Sequence, residues 1–200
     1  ITGASGQLGI ALTKLKLEKI NLLLPKRYEL DLKNANNCYE YTLENKPDWI
    51  INCGAYTSVD LAEENKETAF KINSDAPRAF AKALKITGGK IVQVSTDYVF
   101  DGLQNTPYKT TQEKNPTSAY GESKSMGEIA LEEVLDNKKQ FYIIRTSWLM
   151  SSTGKNFLLT MIDLLNKRKQ ISIVSDQIGS PTTTNTLAIA IWEIIRKDSF

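Results

Sequence analysis

Short apolar, β-rich runs recur along the chain at Trp49–Cys53, Lys90–Val94, Phe141–Thr146 and Ile171–Val174, with a further run at Leu22–Leu24. Between them lie longer stretches whose apolar residues return at helical spacing. Gln7 to Leu17 is one such stretch. Asp60 to Leu84 carries Phe70, Ile72, Phe80 and Leu84, and Pro77 is expected to divide it into two helical pieces. Tyr120 to Leu135 reads as a further helix, Asn156 to Leu165 aligns Phe157, Met161, Leu164 and Leu165 as a core-facing stripe, and Thr186 to Lys197 has helical character. Strands alternating with helices of this length predict an α/β fold around a doubly wound parallel sheet, because parallel neighbours need a crossover between them.

No internal repeat, low-complexity tract or long linker interrupts the 200 residues, so one domain is expected over 1–200. Ile1-Thr2-Gly3 reads like the tail of a strand, and only Asp198, Ser199 and Phe200 follow the last helical run. The first strand and a carboxyl-terminal segment are therefore expected to be truncated, leaving a nucleotide-binding domain with part of a substrate-binding region.

Composition narrows the chemistry. Lys and Arg number 25 against 23 Asp and Glu, a net charge of +2 that gives no one-sided field for nucleic acid or an anionic membrane. Apolar stretches such as Trp49–Ile51 and Tyr142–Ile144 fall far short of the roughly 20 residues needed to span a bilayer. Cys38 and Cys53 lack metal-ligand spacing and are expected as two free thiols, which fits a reducing cytoplasm. The absence of histidine excludes Ser-His-Asp and Cys-His catalysis and histidine-bound zinc within this chain, and no metal site is expected.

Thr2-Gly3-Ala4-Ser5-Gly6-Gln7-Leu8-Gly9 places three glycines between a strand end and a helix. A dinucleotide pyrophosphate needs bare backbone N–H groups at a helix N-terminus, and a side chain at Gly3 or Gly6 would block its approach, while Gly9 allows close packing of the helix. In that context Gly3, Ser5, Gly6, Gln7, Leu8 and Gly9 become the candidate phosphate loop of a Rossmann-type sheet. Beyond Leu22–Leu24 come Pro25, Lys26 and Arg27, where an enzyme selective for NADH often carries an acid. A cation at Arg27 favours the 2′-phosphate of NADPH, with NADH as the alternative; two solvated surface charges would leave the same trace.

Tyr120-Gly121-Glu122-Ser123-Lys124 sets a phenol and an ammonium one helical turn apart on one face. A free tyrosine has a pKa of about 10, and the neighbouring cation is expected to lower it towards a value suited to proton exchange. Upstream, the run Lys90–Val94 ends in Ser95-Thr96-Asp97, bringing hydroxyls to the carboxyl edge of the sheet, where they can bond a carbonyl oxygen.

The order and spacing of Gly3, Gly6 and Gly9, then Ser95-Thr96, then Tyr120 and Lys124 are similar to those of the extended short-chain dehydrogenases/reductases. Ser95 to Gly102, Pro116 to Gly121, Arg145-Thr146-Ser147-Trp148, Asp176 to Thr182, Asn52 to Thr57 and Val59-Asp60 resemble the dTDP-4-dehydrorhamnose reductase family, through nearly all of the chain. The resemblance implies Thr96, Tyr120 and Lys124 as the catalytic three. It puts Asp31 and Leu32 by the adenine, Gly54, Ala55 and Tyr56 along the cofactor, and Thr96, Asp97, Tyr98 and Trp148 at the substrate. It further implies reduction of a dTDP-sugar 4-ketone with NADPH or NADH, a role in lipopolysaccharide or O-antigen synthesis, and admits a homodimer. Met150 departs from the pattern, since relatives commonly carry an aromatic residue there. An epimerase or dehydratase acting on another nucleotide sugar, or a non-catalytic subunit of the same fold, could keep the same framework.

Overall fold

The structure, a computed structural model, describes residues 1–135 and 139–199. In chain order its elements are α1 (Gln7–Lys14), α2 (Ala35–Asn45), β1 (Trp49–Asn52), α3 (Val59–Glu64), α4 (Lys66–Phe70), a π-helical turn (Lys71–Asp75), α5 (Ala76–Thr87), β2 (Lys90–Thr96), a 3-10 turn (Asp97–Val99), α6 (Ala119–Val134), β3 (Phe141–Thr146), β4 (Leu149–Met150), α7 (Phe157–Lys167), β5 (Thr182–Thr183) and α8 (Thr184–Ser199). They fall into two compact units, one formed by Ile1–Gly3 with Leu23–Arg145, the other by Ala4–Leu22 with the chain from Thr146 onward.

The first unit is built on a sheet of order β1-β2-β3. β1 and β2 run parallel, with Trp49 opposite Lys90 and Asn52 opposite Gln93, and Thr2 forms a parallel bridge to Asn52. Burial along β1 and β2 is nearly continuous rather than alternating, as in a central parallel sheet. The core joins Ile50 and Ile91 of the strands to Cys38 of α2, Ala76, Phe80 and Leu84 of α5, and Leu131 of α6. Gly127 lets α6 cross the π-helical turn closely, because a Cβ there would stand 2.1 Å from the Asn73 carbonyl.

Several expectations change here. Pro77 does not separate two helices: it sits in the first turn of α5, and the chain runs from α4 through the π-helical turn into α5. The interruption falls instead at Asn65, between α3 and α4. Leu22–Leu24 forms no strand; Leu23 and Leu24 remain partly exposed, and the Leu23 carbonyl accepts from the Ile1 nitrogen at 2.8 Å without a continuous ladder. β2 extends through Thr96, two residues beyond its expected end.

In the second unit α1 packs on α8, burying Leu8, Leu12, Leu187, Ile191 and Trp192, and the Trp192 Nε1 donates to the Leu12 carbonyl at 3.1 Å. β4 and β5 form a short parallel pair. Ile171–Val174 is not a strand, and its Ile173 and Val174 are exposed because no neighbour supplies a ladder. The stripe on α7, expected as core, has no buried residue: Phe157 and Leu165 are exposed, and Met161 and Leu164 are half-buried. Among the described residues no helix is long and apolar enough to cross a membrane.

Candidate active site

Thr96, Tyr120 and Lys124 all belong to the first unit. β2 ends at Thr96, whose hydroxyl accepts from the Tyr98 amide at 3.2 Å and so caps the 3-10 turn that follows. α6 opens on Ser118, whose side chain accepts from the Gly121 amide at 3.2 Å, while the Ala119 amide donates to the Glu63 carboxylate at 2.7 Å. A Cβ at Gly121 would lie 2.2 Å from the Tyr98 carbonyl, so glycine is what allows the first turn of α6 to meet the end of β2.

That approach brings the Tyr120 phenol beside the Thr96 side chain. The Tyr120 ring stands edge-on to Tyr98, with centroids 5.6 Å apart at 72°. Burial pushes the Tyr120 phenol up to about 12; the Thr96 side chain opposes the shift, and Asp97 and Tyr98 add to it. This corrects the expectation that the Lys124 ammonium lowers the phenol. Lys124, 4% exposed, donates instead to the Val94 carbonyl at 2.6 Å. Burial brings its own pKa down to about 8, against the pull of Glu128 and Cys53. At neutral pH the site therefore pairs a protonated phenol with a largely charged, desolvated amine.

The Thr96 hydroxyl donates to the Asp97 carboxylate at 3.0 Å, and burial holds that carboxyl above its usual range. Ser95, expected beside Thr96 as a second donor, has a buried hydroxyl with no hydrogen-bond partner among the described residues; strand alternation turns successive side chains to opposite faces.

Asn73, in the π-helical turn, escaped the sequence reading. Its Oδ1 accepts from the Tyr56 amide at 2.9 Å, and its Nδ2 donates to the Tyr56 carbonyl and to the Ser123 hydroxyl, each at 3.0 Å. Ser123 in turn donates to the Tyr120 carbonyl at 2.7 Å, so one buried amide fixes both the Tyr56 loop and the helix that carries Tyr120. One turn beyond Lys124, the fully buried Glu128 receives Arg145 through two bonds, 3.0 Å and 2.7 Å, with Lys114 at 3.5 Å. A charge inside an apolar helix pattern was the available signal for Glu128; nothing in the linear sequence marks the π-register that aims Asn73.

The remaining candidates divide between the units. In the first, Gly3 has φ +60, and a Cβ on it would lie 2.8 Å from the Gly54 backbone. A Cβ on Gly54 would meet Leu32 Cδ1 at 2.4 Å, which puts Leu32 beside the same turn. Ala55 is half-buried, and Tyr56 packs with Tyr120 against Ala62, Ala69 and Ala119. Arg27 is exposed, with its Nε 3.8 Å from Asp31. In the second unit Ser5 and Gly6 are exposed, and Gly6 opens α1 with no side-chain cap. Gln7 turns its side chain to the 151–156 segment, donating to the Lys155 carbonyl at 3.1 Å and accepting from Ser151 and Asn156 at 2.9 Å each; Leu8 and Gly9 are buried. Trp148 holds a left-handed backbone (φ 46), edge-on to Phe157 at 4.9 Å, and a Cβ on Gly179 would press within 2.4 Å of its indole nitrogen. Cys38 and Cys53 are free, and burial raises both thiols to about 12. Among the described residues no cluster of His, Cys, Asp or Glu is set to hold a metal.

A parallel sheet with a glycine turn at Thr2-Gly3 and a Thr-Tyr-Lys cluster at the end of its second strand defines a doubly wound, Rossmann-type α/β protein. The chain belongs to the family described as the RmlD substrate binding domain, whose model matches residues 1–199. It is 40% identical over 189 residues to the dTDP-4-dehydrorhamnose reductase of Burkholderia thailandensis, covering 94% of this chain and 62% of that protein. The chain thus spans less than two thirds of that relative's length. The crystal structure of a dTDP-4-dehydrorhamnose reductase from Clostridium acetobutylicum superposes with a TM-score of 0.92 at 39% identity, covering 100% of this chain and 70% of that one. The Bacillus anthracis dTDP-4-dehydrorhamnose reductase in complex with NADP gives a TM-score of 0.92 at 38% identity with the same coverage.

Proposed function

We propose that the chain is the nucleotide-binding domain, with part of the substrate-binding region, of a cytoplasmic reductase that converts the 4-ketone of dTDP-4-dehydrorhamnose to the alcohol of dTDP-L-rhamnose, using NADPH in preference to NADH. The observation that carries the reading is the approach of Tyr120 to Thr96 at the end of β2, with Lys124 buried one turn along α6. The names of the relatives, and the NADP complex of the Bacillus anthracis protein, support the substrate and the cofactor.

The chain's backbone suits a dinucleotide. Gly3 and Gly54 approach each other with no room for a Cβ on Gly3, which leaves bare backbone at the turn. α1 begins without a side-chain cap, and a phosphate is the kind of group an uncapped helix N-terminus accepts. Gly3, Ser5, Gly6 and the amides of Gln7 to Gly9 would hold the pyrophosphate, Arg27 the 2′-phosphate, and Asp31, Leu32, Gly54, Ala55 and Tyr56 the nucleoside portions. The bound cofactor supplies a hydride to the carbonyl carbon. Thr96 holds the carbonyl oxygen by its hydroxyl, and Tyr120 delivers its proton to that oxygen, so hydride and proton together complete the alcohol. A phenol raised to about 12 arrives at this step protonated. Lys124, its ammonium directed by the Val94 carbonyl, would hold a ribose hydroxyl. Asp97 and Tyr98 would contact the sugar, and Trp148 the thymine by stacking.

The test is to mix the protein with dTDP-4-dehydrorhamnose and NADPH or NADH and follow the absorbance of the reduced nicotinamide. Consumption that is faster with NADPH is expected. No consumption with either cofactor would leave a binding role for the fold and overturn the reading.

A further inference from the structure

Thr2, Asn52 and Gln93 sit in register on three neighbouring strand segments of the first unit, and they are only 4%, 1% and 2% exposed. Central parallel strands are ordinarily apolar, and an amide buried there without partners is destabilising. These residues satisfy one another. The Gly54 amide donates to the Thr2 hydroxyl at 3.0 Å, and that hydroxyl donates to Asn52 Oδ1 at 2.6 Å. Asn52 Nδ2 donates to Gln93 Oε1 at 2.7 Å, and Gln93 Nε2 donates to the Val94 carbonyl at 3.0 Å. Every bond runs in the same direction, the arrangement in which hydrogen bonds polarise one another. The line ends on the oxygen that also accepts the Lys124 ammonium, at 2.6 Å.

We propose that Asn52 and Gln93 are positioning residues for Lys124: they fix the Val94 carbonyl that holds the ammonium and tie it to the Gly3–Gly54 turn at the other end of the line. A ladder serving the sheet alone could close on itself; this one terminates on a group of the candidate active site. The proposal rests on reading Lys124 as a working residue of that site, and it is independent of which sugar is reduced.

The test is the double variant Asn52→Leu/Gln93→Met, which exchanges both amides for apolar groups of similar shape. Its thermal unfolding is compared with wild type, and the 13Cε signal of Lys124 is followed against pH in protein carrying 13C-labelled lysine, assigned by its loss in Lys124→Met. The other charges facing Lys124 are Glu128 on its own helix and Cys53 after β1, and neither is altered. With the thiol raised to about 12, Cys53 stays neutral through the measurement. The variant is expected to stay folded and to unfold only several degrees below wild type, because the Asn52–Gln93 bond loses both partners and only the Thr2 hydroxyl loses its acceptor. The Lys124 midpoint should rise by about one pH unit, since the Gln93 N–H no longer turns its positive end towards the ammonium. Thr2→Val, two links from the carbonyl, should move the midpoint in the same direction by less. An unchanged midpoint in folded protein overturns the proposal. Failure of wild type to oxidise NADPH would overturn the proposed function instead, leaving the midpoint to decide this one.

Discussion

Lys124 donates its ammonium to the Val94 carbonyl across the helix–strand contact at 2.6 Å. Four-residue spacing puts Tyr120 and Lys124 on one face of α6, but a lysine's long side chain can choose its partner, and here it reaches β2. Tyr120 is governed by burial and by Thr96, so the phenol stays protonated far above neutrality while the amine titrates at about 8. The alkaline limb of the reduction should therefore belong to Lys124. Measured as kcat/KM from about pH 6 to 10, the rate should fall as pH rises through about 8, with no further loss attributable to Tyr120 below about pH 10. A profile flat to pH 10 would remove the charge requirement at Lys124.

The same burial makes a thermodynamic prediction. A lysine whose folded pKa is lowered from 10.5 to about 8 destabilises the fold below that value, where both states carry the charge, and the penalty lifts as pH rises towards 10.5. Lys124→Met should accordingly be more stable than wild type at pH 7 by roughly 1–3 kcal/mol, and the advantage should shrink between pH 8 and 10. Denaturant unfolding at several pH values measures it; a constant difference would contradict the linkage.

Glu128 has no exposure and is held by Arg145 at 2.7 Å and Lys114 at 3.5 Å. Arg145 also donates to the Thr110 carbonyl at 3.2 Å and lies over the Phe100 ring at 5.0 Å, anchoring the segment between β2 and α6. Glu128→Gln keeps the shape and removes the charge, leaving the guanidinium short of its counter-ion. A loss of about 3–5 kcal/mol is expected from breaking a buried pair on one side. Unfolding by denaturant reads it, and a loss under 1 kcal/mol would mean that the cluster is well solvated.

Much of this arrangement is legible in the sequence. The Tyr120–Lys124 spacing, the hydroxyls after Lys90–Val94 and the glycines before Gln7 each follow from a period or a steric demand that is local to the chain. Misreadings arose where tertiary partners decide the outcome. Leu22–Leu24 and Ile171–Val174 have strand composition but no ladder neighbour, and α7 has a core-like stripe with nothing buried. Proline disrupts most helix interiors, yet Pro77 is accommodated in α5 directly after the π-helical turn. Asn73 acts only because the π-helical turn rotates it towards Tyr56 and Ser123. Asn52 and Gln93 did carry a signal, as amides within otherwise apolar strands.

On the proposed reading cofactor choice turns on Arg27, which is largely exposed and only loosely paired with Asp31 at 3.8 Å. Arg27→Asp should weaken NADPH more than NADH, by about 1–3 kcal/mol in the difference, since a carboxylate repels a 2′-phosphate but can accept from a 2′-hydroxyl. Fluorescence titration of both cofactors checks this, and equal losses would place the guanidinium away from the phosphate.

The central claim is that Tyr120 supplies the proton, and the most direct measurement is turnover of Tyr120→Phe with dTDP-4-dehydrorhamnose and NADPH, alongside the variant's cofactor Kd. Phenylalanine keeps the ring that packs against Tyr98 and removes only the hydroxyl beside Thr96. The account expects kcat to fall by roughly 10²–10⁴, the usual contribution of a positioned general acid, with Kd for NADPH nearly unchanged. Near-normal kcat in the folded variant would contradict it.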